Sequence, residues 1–172
     1  IISQRTASIA LYLVCAFDRF FFLVNIGSSL YCYHYYTVGG IKMETRPYVQ
    51  WELMNNFMID VFKCYGVPEE DAKICADVLL ESDRRGIESH GCNRFKPIYL
   101  DRIEAGIQNP VTNFEIIKET ETTAVVDGHD GMGQVIGYKA MQMAIDKAKK
   151  YGMGMVAVRN SCHYGIAGYY TS

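Results

Sequence analysis

Two short β-prone runs flank one amphipathic stretch, and that order is the strongest constraint on what the chain can fold into. Thr122 to Val126 ends in Asp127-Gly128, after which Gly131, Gly133 and Gly137 lead into a stretch whose Met141, Ala144, Ile145 and Ala148 recur at helical spacing. Gly152 or Gly154 closes that helix, and Met155 to Val158 follows as a continuous apolar run. Strands separated by a whole helix cannot close as a hairpin. The pattern therefore predicts a βαβ unit with parallel strands and a right-handed crossover, and an apolar run such as 155–158 predicts a strand covered on both faces. Phe114 to Lys118 adds a further strand, paired as a hairpin or lying alongside. Ligands of parallel sheets bind beyond the carboxyl ends of the strands. Those ends carry Asp127-Gly128-His129-Asp130-Gly131 and Asn160-Ser161-Cys162-His163-Tyr164-Gly165, which are expected to open on one side. A two-stranded unit cannot cover its own faces, so the sequence is expected to be a fragment whose remaining sheet lies beyond Ser172.

Upstream, the texture is helical. Trp51, Met54, Met58, Val61, Phe62 and Tyr65 form a stripe of helical period that Gly66 ends. Pro68, read as a first-turn proline, and the acidic Glu69, Glu70 and Asp71 open a second helix to about Arg84, with Ile74, Cys75, Val78 and Leu79 on its buried face and Gly86 as its stop. A third amphipathic stretch runs from Ser89, as N-cap, to Glu104, with Gly106 after it. The expected division is residues 43–107 as a helical N-terminal unit and 108–172 as the beginning of an α/β core.

Residues 1–42 differ from the rest. They hold four charged residues and net +2, whereas Met43 to Ser172 nets −4. A membrane span from Ile9 to Val24 would bury Asp18 and Arg19 at its centre, at roughly 2.5–3.5 kcal/mol each. The same pair interrupts a signal peptide. The segment is read as a non-native or disordered leader before a start at Met43. The whole chain nets only −2, which gives no general attraction to nucleic acid.

The six cysteines include no C-x-x-C spacing, so neither a metal site nor a disulfide framework is expected. Cys64 and Cys75 fall on apolar faces and are read as buried free thiols of a reducing compartment.

Two polar clusters can carry chemistry. In Glu88-Ser89-His90-Gly91-Cys92-Asn93-Arg94, His90 and Arg94 are i, i+4 neighbours and would offer a cationic surface suited to a carboxylate; from spacing alone an N-cap followed by a solvated face is the favoured alternative. In Asn160 to Gly165, His163 just past a strand suits an acid or base near pH 7, or a helix cap. Gly128 to Gly133 lacks both the dinucleotide fingerprint and a P-loop lysine, and reads as a turn. Lys147, Lys149 and Lys150 read as a helix C-terminus answering its dipole.

Taken together, Asp83-Arg84-Arg85-Gly86-Ile87-Glu88-Ser89-His90-Gly91, Arg94, Ala105-Gly106, Asn109-Pro110, Asp127-Gly128 through Gly133-Gln134, and Asn160 to Gly165 resemble the type-2 malate/L-lactate dehydrogenase family, whose members also include ureidoglycolate and sulfolactate dehydrogenases and cyclic-imine reductases. The resemblance runs from about Trp51 to the end and covers an N-terminal part of a family chain. It implies an α/β (α+β) fold, a helical unit followed by a truncated mixed-sheet dehydrogenase core distinct from the Rossmann type. It also implies a cytoplasmic enzyme, a homodimer when full length, that exchanges hydride between NAD, with NADP possible, and a small 2-hydroxy or 2-oxo acid. His163 would be the proton acceptor. Ser89, His90 and Arg94 would line the substrate pocket, Arg94 pairing with the carboxylate. A family tyrosine often follows that arginine by four residues; here Ile98 holds that place and Tyr99 comes one later, without an assigned role. Most cofactor contacts would lie beyond Ser172.

Two rivals stand beside it: a non-catalytic helical interaction fragment, membrane-associated through residues 1–42, and a hydrolase using Cys92 or Cys162 with a histidine. Deleting residues 1–42 should leave the helix content of the folded part unchanged and raise solubility, measured by circular dichroism and sedimentation. A loss of helix signal would contradict the leader assignment.

Overall fold

The computed structural model describes the backbone of residues 11–16, 19–26, 29–33, 37–38, 41–42 and 49–172, with side chains from residue 49 onward. It divides into two units, Ile1–Val49 and Gln50–Ser172. In the first, β1 (Leu11–Ala16), β2 (Arg19–Ile26) and β3 (Ser29–Tyr33) pair antiparallel in that order, and β4 (Thr37–Val38) pairs with β5 (Ile41–Lys42). Branched and aromatic residues of this kind favour strands.

The second unit opens with α1 (Trp51–Cys64) and α2 (Glu69–Arg84). Met58 and Phe62 of α1 pack with Ala72, Cys75, Ala76, Leu79 and Leu80 of α2 in one core that also takes Met132 and Val135 from further along the chain. Gly66 adopts a φ of 86° and turns the chain between the two helices, a conformation only glycine takes without strain. Pro68 stands at the N-cap rather than inside the first turn, and the acidic residues after it face the positive helix end as expected. Cys75 is buried, but Cys64 is exposed, contrary to expectation, because it lies off the stripe formed by Met58 and Phe62.

The expected third helix is broken into pieces. Glu88–His90 and Cys92–Arg94 are single 3-10 turns, Phe95–Leu100 is a π-turn, and only Asp101–Glu104 (α3) is α-helical. Ser89 does not cap a helix, and His90 and Arg94 are not on one regular helical face. Gly91 is the cause of the first break: a Cβ there would fall 1.7 Å from Asp83 Oδ1, and the Asp83 carboxylate accepts the Cys92 N–H at 2.8 Å. Pro97 has no N–H to donate, which disfavours regular α-helical bonding through the next turn.

The sheet has the order β6-β7-β8, with β6 (Glu115–Glu119) antiparallel and β8 (Met155–Ser161) parallel to β7 (Thr123–Gly131). The βαβ unit thus forms as read, through α4 (Gly133–Tyr151), which Gly152 ends at φ 82°. Two details differ. β7 runs past Asp127 to Gly131, with a register break where His129 and Asp130 take φ of 47° and 55°. β8 is mostly exposed rather than covered on both faces, since it is the outer strand of this sheet. Met141, Ala144, Ile145 and Ala148 are half-buried, while Val135, Ile136 and Ala140 carry the buried face of α4. Lys147 is not a solvated C-terminal charge: it is buried, and its Nζ donates to Glu119 Oε1 and to the Thr120 carbonyl, each at 2.7 Å, pinning the helix to the β6–β7 turn.

The start of α4 positions the loop after β8. A Cβ on Gly133 would lie 2.2 Å from the Cys162 carbonyl oxygen and 2.4 Å from that of His163, both backbone atoms that cannot rotate away. Gly133→Ala should therefore cost about 1–3 kcal/mol by overpacking and displace residues 160–165. Urea unfolding and the His163 ring resonances measure the two effects; unchanged values in both would show that the loop is not seated on this residue.

Candidate active site

His163 is carried just beyond β8 and is half-buried. Its Nδ1 lies 2.8 Å from the Tyr99 hydroxyl and accepts the Gly165 backbone N–H at 3.2 Å. A backbone N–H can only donate, so a neutral ring in this arrangement carries its hydrogen on Nε2. The His90 and His163 rings stack with centroids 5.5 Å apart and 24° between planes. Ser89 Oγ is 2.8 Å from His90 Nδ1, and the Ser89 carbonyl accepts from Arg94 Nε at 2.6 Å.

All four residues singled out from the sequence are thus joined: Arg94 to Ser89, Ser89 to His90, His90 to His163. The means differ from the expected helical face. The 3-10 turns on either side of Gly91 bend the chain back so that Arg94 grips the Ser89 carbonyl through Nε. Its two Nη groups make no hydrogen bond among the described residues, leaving a planar two-pronged donor for a carboxylate.

The loop is tied to the sheet by a carboxylate to which the sequence reading gave no role. The buried Asp127 carboxylate accepts Arg159 Nε at 2.7 Å, the His129 N–H at 2.9 Å, and Asn160 Nδ2 at 3.0 and 2.9 Å. The His129 amide hydrogen bond, with Asn160 and Arg159 behind it, holds this carboxyl down at about 2. Asn160 takes a φ of 48°, turning the chain out of β8 toward His163.

Tyr99, which the sequence left without an assigned role, also enters the site. In a π-turn the hydrogen bonds run i to i+5, so residue 99, five after Arg94, comes onto the face that residue 98 would hold in an α-helix. Ile98 is only half-buried and Tyr99 is fully buried. The interior Pro97 was the available signal that the regular helix would not continue.

Burial pushes the His163 pKa below the ordinary histidine value, and the cationic surroundings of His90, Arg102 and Arg94 push in the same direction. Its neutral form therefore dominates at pH 7. Burial drives the Tyr99 phenol well up, so it stays protonated. The thiols behave as the hydrolase rival does not require: burial and Asp83 raise Cys92 to about 12, and burial and Asp130 raise Cys162. Cys162 Sγ contacts the Asp130 and Ile107 carbonyls, and Cys92 Sγ the Met58 sulfur, rather than an imidazole.

The glycines of 128–133 bear on whether these residues hold a dinucleotide. A Cβ on Gly131 would meet the Gly128 carbonyl at 3.0 Å and Thr112 at 3.1 Å, and Gly133 is filled by the Cys162 and His163 carbonyls. These glycines admit the protein's own backbone. They do not form a phosphate cradle. No helix among the described residues is long and apolar enough to cross a membrane.

A family model described as malate/L-lactate dehydrogenase matches residues 49–172. L-sulfolactate dehydrogenase of Methanocaldococcus jannaschii is 54% identical over 114 residues, covering 66% of this chain and 33% of that protein. Malate dehydrogenase of Pyrococcus abyssi is 56% identical over 115 residues, covering 67% and 32%. The crystal structure of malate dehydrogenase from Entamoeba histolytica superposes with a TM-score of 0.71 at 51% identity, over 72% of this chain and 34% of that one. The chain spans about a third of the length of the curated relatives it matches.

Proposed function

Because the chain belongs to the malate/L-lactate dehydrogenase family, we propose that its Gln50–Ser172 unit supplies the acid/base and carboxylate-binding part of a nicotinamide-dependent 2-hydroxy-acid dehydrogenase. The observation that carries this reading is the continuous contact from Arg94 through Ser89 and His90 to His163. It sets a fixed guanidinium beside a neutral imidazole whose Nδ1 is occupied and whose Nε2 is left for substrate.

Arg94 would bind the carboxylate of a small 2-oxo or 2-hydroxy acid through its Nη pair and fix the angle at which C2 is presented, which is a large part of a dehydrogenase's advantage. His163 would pass the Nε2 proton to the oxo oxygen during reduction and take the hydroxyl proton at Nε2 during oxidation. Ser89 and His90 would hold these two groups in place. Hydride exchange belongs to the cofactor, NAD or NADP. Malate, lactate and sulfolactate, substrates in the names of relatives, are the acids to test. The reading carries with it a cytoplasmic homodimer. With the β8 edge open and no dinucleotide cradle among the described residues, the 172-residue chain alone is expected to be inactive.

The test uses a chimera that completes the chain with the part of the M. jannaschii enzyme it does not cover. His163→Ala should cut kcat by roughly 10²–10⁴ while cofactor affinity holds. Arg94→Lys keeps the charge but loses the two-pronged donor, so KM should rise and kcat fall together. Since His163 must be neutral to accept a proton and its pKa is lowered, the acidic limb of kcat/KM for oxidation should fall below the ordinary 6.5. Near-normal turnover of His163→Ala with that limb intact would refute the proton-transfer role.

A further inference from the structure

Resting on His163 as the acid/base group, we propose that Tyr99 is the positioning residue that lets His163 exist in each of the protonation states its role requires. The Tyr99 hydroxyl is fully buried, and among the described residues its hydrogen-bond partner is His163 Nδ1, at 2.8 Å. The π-turn holds the ring there, edge-on to His163 at 5.9 Å and to Phe62 at 6.3 Å on another side.

Nδ1 has a second neighbour of opposite character. Gly165 N–H, 3.2 Å away, donates and can do nothing else. With the hydrogen on Nε2, the Nδ1 lone pair accepts from both groups. Once Nδ1 itself carries hydrogen, in the imidazolium or in the neutral form with Nε2 free, Gly165 opposes it. An acceptor is then needed. A phenol held protonated by burial turns its hydrogen aside and offers its oxygen, so Tyr99 serves Nδ1 as donor in one state and acceptor in the others. The other groups facing the ring do not replace it: His90 stacks on it, and Arg94 and Arg102 only add positive charge.

Tyr99→Phe keeps the ring packing and removes the hydroxyl. The neutral ring with hydrogen on Nε2 loses one donor but keeps Gly165, whereas the imidazolium and the Nδ1–H form lose their acceptor outright, so the His163 pKa, already low, should fall by about one further unit, and the neutral ring should be locked with hydrogen on Nε2. The measurement is a pH titration of the side-chain ¹⁵N resonances in the ¹⁵N-histidine-labelled 172-residue chain, wild type against Tyr99→Phe. His129, held by Glu115 and Asp127 elsewhere, is the internal control and should not move. Substituting 3-fluorotyrosine at 99, a weaker acceptor of nearly the same volume, should shift His163 in the same direction by less and covers any loosening of the fold by phenylalanine. A His163 pKa that stays put or rises in both variants, or a neutral Nδ1–H ring in Tyr99→Phe, would overturn the role of Tyr99. Loss of the acid/base reading would show separately, as turnover retained by His163→Ala in the completed enzyme.

Discussion

The carbonyl oxygens of Cys162 and His163 lie where any side chain on residue 133 would have to be, and the place of the imidazole follows from that contact. α4 cannot begin where it does, nor the loop after β8 run where it does, unless residue 133 has no Cβ. Asp127 supplies the complementary attraction, drawing Arg159 and Asn160 onto the neighbouring strand end. One constraint excludes and the other gathers. Between them they bring a loop residue from the sheet up to Tyr99 and His90 on the helical side.

The electrostatics that result are unusual for a histidine near two arginines. Among the described residues no carboxylate partners its ring, Nδ1 is occupied by a hydroxyl and an amide, and burial adds to the cationic surroundings in disfavouring the charged form. In the proposed role, a carboxylate held by Arg94 would weaken the field that keeps His163 neutral, so binding of the acid and protonation of the imidazole would be coupled.

The sequence carried the parts that depend on local pattern. The stripe ending at Tyr65, the acidic start at Glu69, the 122–126 and 155–158 runs and the glycines at 66, 86 and 152 all act through neighbours a few residues away, and these helices and strands formed, with β7 and β8 running further than the runs that announced them. The candidate residues His163, Ser89, His90 and Arg94 were named through a family resemblance, and the structure draws them together. What was not legible depends on partners distant in sequence. Gly91 breaks the third helix because Asp83 lies against it, Lys147 is buried because the β6–β7 turn closes over it, and Tyr99 matters because His163, from the far end of the unit, comes to it. β8 kept the apolar composition of a covered strand while remaining the outer strand here.

The central claim is that Arg94 and His163 form one binding site for a 2-oxo acid, independent of the cofactor. Titrating the ¹⁵N-labelled 172-residue chain with oxaloacetate and pyruvate, without nicotinamide, tests it most directly. Saturable shifts at Arg94 Nε and the Gly165 amide together with a rise in the His163 pKa, the last two reached only at higher acid concentration in Arg94→Lys, are the predicted result. Shifts that leave these groups untouched, or that persist unchanged in Arg94→Lys, would contradict it.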